Sequence, residues 1–420
     1  MHLTSLTHRK QLFELATRWF GDAPRPEDGR FLTQAFTFEN ILTNDTVRAL
    51  FTAIKNAVHP GPVQMVRVRA KDELRDTIVR SCTNPGPRET ELFRQYRQRP
   101  EEFFPGTPTD VMVALRNDGS ILGMARVKRL RRIAEKGSRR VADKLAGAIN
   151  ERANAIALRR AENYGIPLRQ LLSSKTEMAE DFAQAERIVS RTFQDGVLVF
   201  QPEDLRIDDG IGFKFVGTPG ELHTIEAAIR SHPAVLAVQR EEHHGLYNDI
   251  NLLVDLELPP PERIIDQERG RDWACLGGRG LDPRELAQGF PAYVLEGERS
   301  FRAEVILTTR ADLVESEFGS AIHEARILEQ RQGSYSGRIA SNASFLISYM
   351  LMLALSPTIE TPAHLPVKMW GRYLQDVYSV AIWQLFGITL GRDPMDFPAL
   401  WTTGLMHGEA AILEDSHRAG

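Results

Sequence analysis

The sequence contains few cysteines, little net charge and no long uninterrupted apolar run. Cys82 and Cys275 are its two cysteines, which is too few for a disulfide framework or a four-cysteine zinc site. The 52 basic and 56 acidic residues leave a formal net charge of −4, whereas a protein that only coats nucleic acid is usually strongly basic. Hydrophobic residues make up 42% of the chain, which excludes a largely disordered protein. We therefore expect a folded protein of two or three domains in a reducing compartment.

The first residues and the most apolar segment predict no targeting or membrane role. The first ten residues have neither an apolar core nor a small-residue cleavage site, so no signal peptide is expected. The most apolar run, Phe345 to Leu355, has eleven residues and includes Ser348 and Tyr349. Because a membrane-spanning helix needs about 20 apolar residues, this run predicts a buried helix instead. We expect a cytoplasmic protein without a membrane partner.

The order of the predicted elements indicates an α+β fold. Alternating apolar residues at 111, 113 and 115, followed by the turn Asn117-Asp118-Gly119, predict a hairpin over 110–127. Apolar periodicity predicts helices at 11–20, 45–58, 71–82 and 221–231, and further strands at 63–68, 197–200, 212–216, 234–239, 250–256 and 302–308. A composition rich in Ala, Glu, Arg and Gln predicts two more helices at 141–163 and 177–193. We predict a mainly helical N-terminal region (1–108), a mixed central domain (109–330) and a helical C-terminal region (331–420).

Two acidic residues occupy strand positions where carboxylates can bind a metal ion. Asp209 comes just ahead of the strand at 212–216, and Glu304 lies inside the apolar strand at 302–308. A buried carboxylate is costly unless it is paired or binds a metal. Two carboxylates suffice for Mg²⁺, which keeps several waters and binds substrate phosphates. The same residues are also typical of a turn rich in Asp and Gly, and of a half-exposed strand.

Three further features have both a functional and a structural interpretation. Tyr247, at the start of a strand, could stack on a nucleobase or simply pack against the protein. His323, on a predicted helix, could shuttle a proton, contact a phosphate or serve the fold alone. Eight basic residues and one acidic residue lie between Arg126 and Arg140. This density suits polyphosphate binding, a solvated helix face or an RNA contact through 126–140.

Taken in order, these motifs resemble the synthetase domain of RelA/SpoT-like alarmone synthetases. The family pattern is roughly D-[IL]-x-[GA]-[IV]-R, G-Y-x-S-[IL]-H, E-[IV]-Q-[IV]-R-T and A-E-x-G-x-A-A-H. The chain reads D-G-I-G-F-K from Asp209, G-L-Y-N-D-I-N from Gly245, E-V-I-L-T-T from Glu304 and S-E-F-G-S-A-I-H from Ser316. The interval from Glu304 to Glu317 matches the family. The resemblance covers about residues 197–330. It covers about residues 111–330 if the basic segment at 126–140 is included.

The resemblance implies a nucleotidyltransferase-like mixed sheet flanked by helices, with insertions at about 137–195 and 259–300. It implies transfer of pyrophosphate from ATP to the 3′-hydroxyl of a guanine nucleotide or another acceptor. Asp209 and Glu304 would be the catalytic residues and would hold Mg²⁺. The implied nucleotide-binding residues are Arg126, Lys128, Lys136, Lys214, Tyr247 and His323. Lys175 or Arg191 is an alternative basic residue for binding the phosphates of the donor.

The chain departs from the family mainly at positions that would contact the substrate. Lys214 replaces an arginine, Asp249 and Asn251 replace a serine and a histidine, and an extra residue precedes Tyr247. Ile306 and Thr308 stand where the family has Gln and Arg. This pattern fits a divergent enzyme with a changed acceptor, or a catalytically impaired nucleotide-binding or scaffold protein on the same fold. The sequence is also compatible with a homo-oligomer.

Overall fold

The structure is a computed structural model that describes residues 1–245, 248–276, 278–319, 324–325 and 338–388. Within these residues the strands are β1 (His2–Leu3), β2 (Gln64–Ala70), β3 (Pro108–Leu115), β4 (Ile121–Val127), β5 (Arg206–Ile207), β6 (Ile211–Val216), β7 (Val235–His243), β8 (Asp249–Glu257) and β9 (Ser300–Thr308). The helices are α1 (Arg9–Phe20), α2 (Asp28–Val58), α3 (Lys71–Ser81), α4 (Pro87–Gln98), α5 (Leu130–Asn163), α6 (Lys175–Gln194), α7 (Pro219–Ser231), α8 (Pro261–Glu268), α9 (Pro283–Glu296), α10 (Arg310–Phe318), α11 (Arg338–Leu355) and α12 (Gln375–Leu385). The fold is α+β, as predicted.

Seven strands form one mixed sheet in the order β2-β3-β4-β6-β9-β8-β7. All neighbouring pairs are antiparallel except β6 and β9, which run parallel at the centre. β1 and β5 form a separate two-stranded parallel pair. The centre of the large sheet therefore joins two strands that are far apart in sequence.

The two faces of this sheet differ in chemistry because side chains alternate along each strand. One face carries Phe213, Phe215 and Val305, which are buried in an apolar core with α2, α7 and α9. The opposite face is apolar at the β2-β3-β4 end, where α3, α4 and α10 cover it. Its central part carries charged side chains and is the floor of a cavity.

A second, largely helical core lies beside the sheet and contains residues of α1, α5, α6, α11 and α12. α11 packs along α5, and Ile347 of α11 lies beside Gly137 in the basic segment at 126–140. Among the described residues, α11 is the one helix long and apolar enough to cross a membrane, and 61% of it is buried inside the protein. It therefore packs as a core helix, as the short apolar run predicted.

Most predicted elements are present, with shifted ends. The hairpin forms between β3 and β4, and Gly119 in its turn has a φ of 81°. α2 begins at residue 28 rather than 45, because Leu32, Ala35 and Phe38 continue its buried apolar face. The predicted strand at 197–200 is wrong. The amides of Val197 and Leu198 both bond to the carbonyl oxygen of Thr192, so they close the end of α6 instead of pairing in a sheet.

The predicted regions contribute strands and helices to the same sheet and the same hydrophobic cores. β2, within the predicted N-terminal region, pairs with β3 in the central sheet, so the predicted boundary after residue 108 falls inside β3. The stretch at 137–195 forms most of α5 and all of α6, and the stretch at 259–300 forms α8 and α9. These helices contribute to the two large cores.

Candidate functional site

A cavity of about 1110 Å³ lies on the polar face of the sheet, and we call it the central cavity. Its floor is β4, β6, β9 and β8, and its walls come from α3, α5, α10 and α11. Nine basic side chains line it: Lys71, Arg126, Lys128, Arg129, Arg131, Arg132, Lys136, Arg139 and Lys214. Six acidic side chains also line it: Glu135, Asp209, Asp249, Glu304, Glu317 and Glu324. The excess of positive charge favours an anionic ligand.

Strand register explains why the polar floor residues come together. Arg126 on β4 pairs with Gly212 on β6, and Gly212 pairs in turn with Glu304 on β9. One step along the same face, Lys214 pairs with Ile306. Because neighbouring strands lie about 4.8 Å apart, this register brings side chains from distant segments into one row. Gly212 has no side chain, so the floor between Arg126 and Glu304 is open.

Asp209 lies two residues before the start of β6 and contacts two ammonium groups. The Nζ atoms of Lys128 and Lys136 both contact its Oδ2 atom. Burial by itself would raise the pKa of Asp209, but the charges of the two lysines outweigh it and hold the pKa at about 2. Burial also lowers the pKa of Lys128 to about 8, although the charge of Asp209 opposes this shift. Asp209 is therefore ionised at neutral pH.

Glu304 has the opposite electrostatic environment. Burial raises the pKa of its carboxyl group, and the negative charge of Asp209 raises it further. Asn251 on β8 donates a hydrogen bond from Nδ2 to the Oε1 atom of Glu304 at 3.3 Å. The two carboxyl groups thus lie close enough to interact, and their pKa values are driven apart. Such divergence is typical of acid–base pairs in active sites.

Two buried oxygen atoms in the cavity have no hydrogen-bond donor among the described residues. They are Oδ1 of Asp209 and Oδ1 of Asn251. Unsatisfied buried polar atoms are uncommon and often mark functional positions. The described residues contain no cluster of three or more His, Cys, Asp or Glu side chains placed to share a metal. Asp209 and Glu304 still fit Mg²⁺ in donor type and number, since Mg²⁺ is commonly bound by one or two carboxylates.

Two cations of the floor form no salt bridge within the described ranges. Arg126 is exposed to the cavity, and neither Arg126 nor Lys214 forms a salt bridge there. Burial lowers the pKa of Lys214, while the charge of Glu317 opposes this. Basic side chains that no described residue holds in a salt bridge are available to ligand phosphates.

A buried ionic cluster forms the wall next to Lys214. Lys71 on α3 lies 2.8 Å from Glu317 and 2.9 Å from Glu324, and its side chain is 6% exposed. Arg75, fully buried, bonds the carbonyl oxygen of Glu317 at 2.8 Å and lies 3.2 Å from Glu324. Burial would raise the pKa of Glu317, but Lys71 and its neighbours hold it at about 2. The cluster fixes α3 against α10.

The structure brings six of the eight predicted site residues into the central cavity. They are Asp209, Glu304, Arg126, Lys128, Lys136 and Lys214. The other two, Tyr247 and His323, lie outside the described residues. The alternative anchors Lys175 and Arg191 are both exposed on α6 and do not line the cavity.

Several cavity residues were not predicted as site residues. Ser341, Ser344 and Ser348 line the wall formed by α11, together with Tyr378 of α12. Their spacing of three and four residues places the serines on one helix face. Polar residues at this spacing in an otherwise apolar segment are a sequence feature that could have identified this polar helix face. His243 also lines the cavity and bonds Asp249 at 2.7 Å through Nδ1. The sequence gives no signal for that pair, because it depends on the register between β7 and β8.

The geometry of the cavity is consistent with the chemistry that the motifs predict, but it does not by itself establish a family. No protein family, curated protein or solved structure matched this chain, so the resemblance to alarmone synthetases stays a prediction based on its motifs.

Proposed function

We propose that the protein is a divergent Mg²⁺-dependent pyrophosphokinase or related nucleotidyltransferase of the cytoplasm, with a nucleotidyltransferase-like fold. The donor would be ATP, and the acceptor a hydroxyl of a guanine nucleotide or of another nucleotide or RNA end. One observation carries the proposal. Two interacting carboxylates and four basic side chains, predicted from segments up to 178 residues apart, line the same cavity.

The charges of the cavity match the needs of phosphoryl-type transfer. Such reactions depend mainly on positioning and on positive charge around the moving group. Lys128, Lys136, Arg126 and Lys214 would neutralise donor phosphates. Asp209 and Glu304 would hold Mg²⁺, which when bound supplies further positive charge to the phosphate oxygens.

The raised pKa of Glu304 suits a general base. In the proposed step the acceptor hydroxyl oxygen forms a bond to the β-phosphorus of ATP. The bond from that phosphorus to the α,β-bridging oxygen breaks, and AMP leaves. Glu304 takes the proton of the attacking hydroxyl. The step needs ATP and acceptor together, and a cavity of about 1110 Å³ exceeds the roughly 300–1,000 Å³ of a typical single-ligand pocket.

The test uses ATP labelled either at the γ-phosphate or at the α-phosphate, with Mg²⁺ and a panel of acceptors. The panel contains GDP, GTP, other ribonucleotides and a short RNA with a free 3′-end. We expect the γ-label, and not the α-label, to move to at least one acceptor. Asp209→Asn and Glu304→Gln should each lower the rate at least about 100-fold, in the range for removing groups that stabilise a transition state.

Lys175→Met is the matched control, since it removes an exposed lysine that does not line the cavity. It should leave the rate unchanged. Transfer of the α-label would indicate a nucleotidyltransferase instead of a pyrophosphokinase. If no acceptor becomes labelled with either ATP, the enzymatic proposal fails.

A second candidate is a nucleotide-binding protein without turnover, and one observation favours it. Lys128 and Lys136 together already compensate the charge of Asp209, as a bound metal would. In that case ATP should stabilise the fold by mass action without Mg²⁺. Thermal unfolding with ATP and EDTA should then show a raised Tm, and Glu304→Gln should keep it.

A further inference from the structure

The end of the central cavity that lies away from the sheet has a different chemistry from its floor. There α11 contributes Ser341, Ser344 and Ser348, and α12 contributes Tyr378. The three serine side chains are half-buried or exposed, and none bonds to another described residue. Within the described part of the chain, this wall offers hydroxyl groups without a hydrogen-bond partner and an aromatic ring, but no charge.

The ring of Tyr378 is held in a defined orientation. It stacks on Phe345 with ring centroids 4.4 Å apart and an interplanar angle of 19°. Its hydroxyl donates to the Oδ1 atom of Asn342 at 2.8 Å. Asn342 is 1% exposed, and its Nδ2 atom donates to three backbone carbonyl groups between residues 368 and 371. Phe345 covers one face of the ring, so a ligand would use the other.

Tyr378 also separates the central cavity from a second cavity of about 850 Å³. Both cavities are lined by Ala340, Ser341 and Tyr378. α5 runs past both, since Lys136 contacts Asp209 while Ala142 lines the second cavity. Six residues of helix correspond to about 9 Å along its axis. A ligand that reaches from Lys136 to the second cavity would therefore span about 9 Å along α5.

We infer that the wall of Tyr378, Ser344 and Ser348 binds the nucleoside end of the triphosphate donor. The base stacks on the free face of Tyr378, and the serine hydroxyls bond the sugar hydroxyls, while the phosphates lie at Lys128 and Lys136. This inference rests on the proposed function, because it assumes a nucleoside triphosphate in the cavity. Every base has a π-face, so stacking alone gives similar affinity for ATP and GTP.

The test compares the dissociation constants of ATP, GTP and inorganic tripolyphosphate by calorimetry on the full chain. Wild-type protein should bind both nucleotides more tightly than tripolyphosphate. Tyr378→Leu should weaken both nucleotides about 5- to 150-fold, which corresponds to about 1–3 kcal/mol for one stacked base. Its affinity for tripolyphosphate should not change. Tyr378→Phe keeps the ring and should keep most of the nucleotide affinity.

Trp383→Leu is the matched control, because it removes a 40% exposed aromatic side chain from the same helix that does not line the cavity. Unchanged tripolyphosphate binding by Tyr378→Leu shows that this variant is folded at the phosphate end. If Tyr378→Leu binds ATP as tightly as wild type does, the inference is overturned and the proposed function is unaffected. If wild-type protein binds neither ATP nor tripolyphosphate, both are overturned.

Discussion

Gly212 and Glu304 face each other across the central parallel strands, and a Cβ atom built on Gly212 would lie 3.8 Å from Oε2 of Glu304. That distance is an ordinary van der Waals contact, so alanine fits the folded protein. The glycine therefore leaves an opening in the cavity floor that folding alone does not require.

Gly212→Ala should separate ligand binding from stability. We expect ATP affinity to fall about tenfold, because the added methyl group fills the floor beside Glu304. The free energy of unfolding should stay within about 1 kcal/mol of wild type or rise, since glycine in a strand costs about 0.5–1 kcal/mol relative to alanine. Calorimetry and urea unfolding measure the two quantities. A large loss of stability together with unchanged ATP affinity would contradict this prediction.

The pH dependence of transfer should report the ionisation of Glu304. Its pKa is raised by burial and by Asp209, and a general base must be ionised, so the rate should rise with pH through that pKa and then level off. Asn251→Asp places a carboxylate next to Oε1 of Glu304, and like charge raises the pKa further. The rising limb of the pH–rate profile should therefore move to higher pH. Asn117→Asp, in an exposed turn, should leave the profile in place.

Lys136→Met should lower stability in a pH-dependent way. The folded-state pKa of Asp209, about 2, lies below the ordinary value of 3.8, so its ionised form contributes stability above about pH 4 that is lost as pH falls through about 2. Lys136 is 40% exposed, so solvent screening limits the expected loss at pH 7 to about 1 kcal/mol. Urea unfolding at pH 7 and pH 2.5 should show a smaller difference from wild type at the lower pH. An equal difference in unfolding free energy at pH 7 and pH 2.5 would refute the pairing of Lys136 with ionised Asp209 as its cause.

The buried cluster of Lys71, Arg75, Glu317 and Glu324 should behave as one unit. Glu317→Gln leaves two buried cations, Lys71 and Arg75, to share the remaining carboxylate of Glu324, and should cost about 3–5 kcal/mol of unfolding free energy. The double change with Lys71→Met should cost clearly less than the sum of the single changes. Urea unfolding of all three variants gives this comparison.

An exposed ion pair provides the matched control for the cluster. Arg88 lies 2.8 Å from Glu315, and its side chain is 61% exposed. Arg88→Met should therefore cost less than about 1 kcal/mol. If the losses of unfolding free energy from the Lys71 and Glu317 changes simply add, these two residues are not energetically coupled and the prediction is wrong.

The sequence was sufficient to predict several charged residues of the cavity floor, among them Asp209, Glu304 and Lys214. Asp209 and Glu304 stand out because acidic residues are unusual at apolar strands, and the alternation of each strand then assigns side chains to a face. Register and strand order are long-range properties, so the neighbours Gly212 and Asn251 could not be assigned in this way. The fold class followed from element order alone.

The wall formed by α11 could not be predicted, for a related reason. Helical periodicity shows that α11 has a buried face, but it does not say which element covers that face. The packing of α11 on α5 joins segments about 200 residues apart. Local structure can also differ from what composition predicts. Val197 and Leu198 are typical strand residues, but their amides bond to the last turn of α6 and not to a neighbouring strand.

The position of β9 has a consequence for how the chain folds during synthesis. β9 lies between β6 and β8, yet it is the last of the seven sheet strands to leave the ribosome. Until it inserts, β6 and β8 each expose an unpaired apolar edge, which is a template for aggregation. Pairing between Gly212 and Glu304 also closes a loop of 92 residues, and such non-local contacts form slowly. A nascent chain that stalls before residue 300 therefore has two open sheet edges and lacks one of its two central carboxylates.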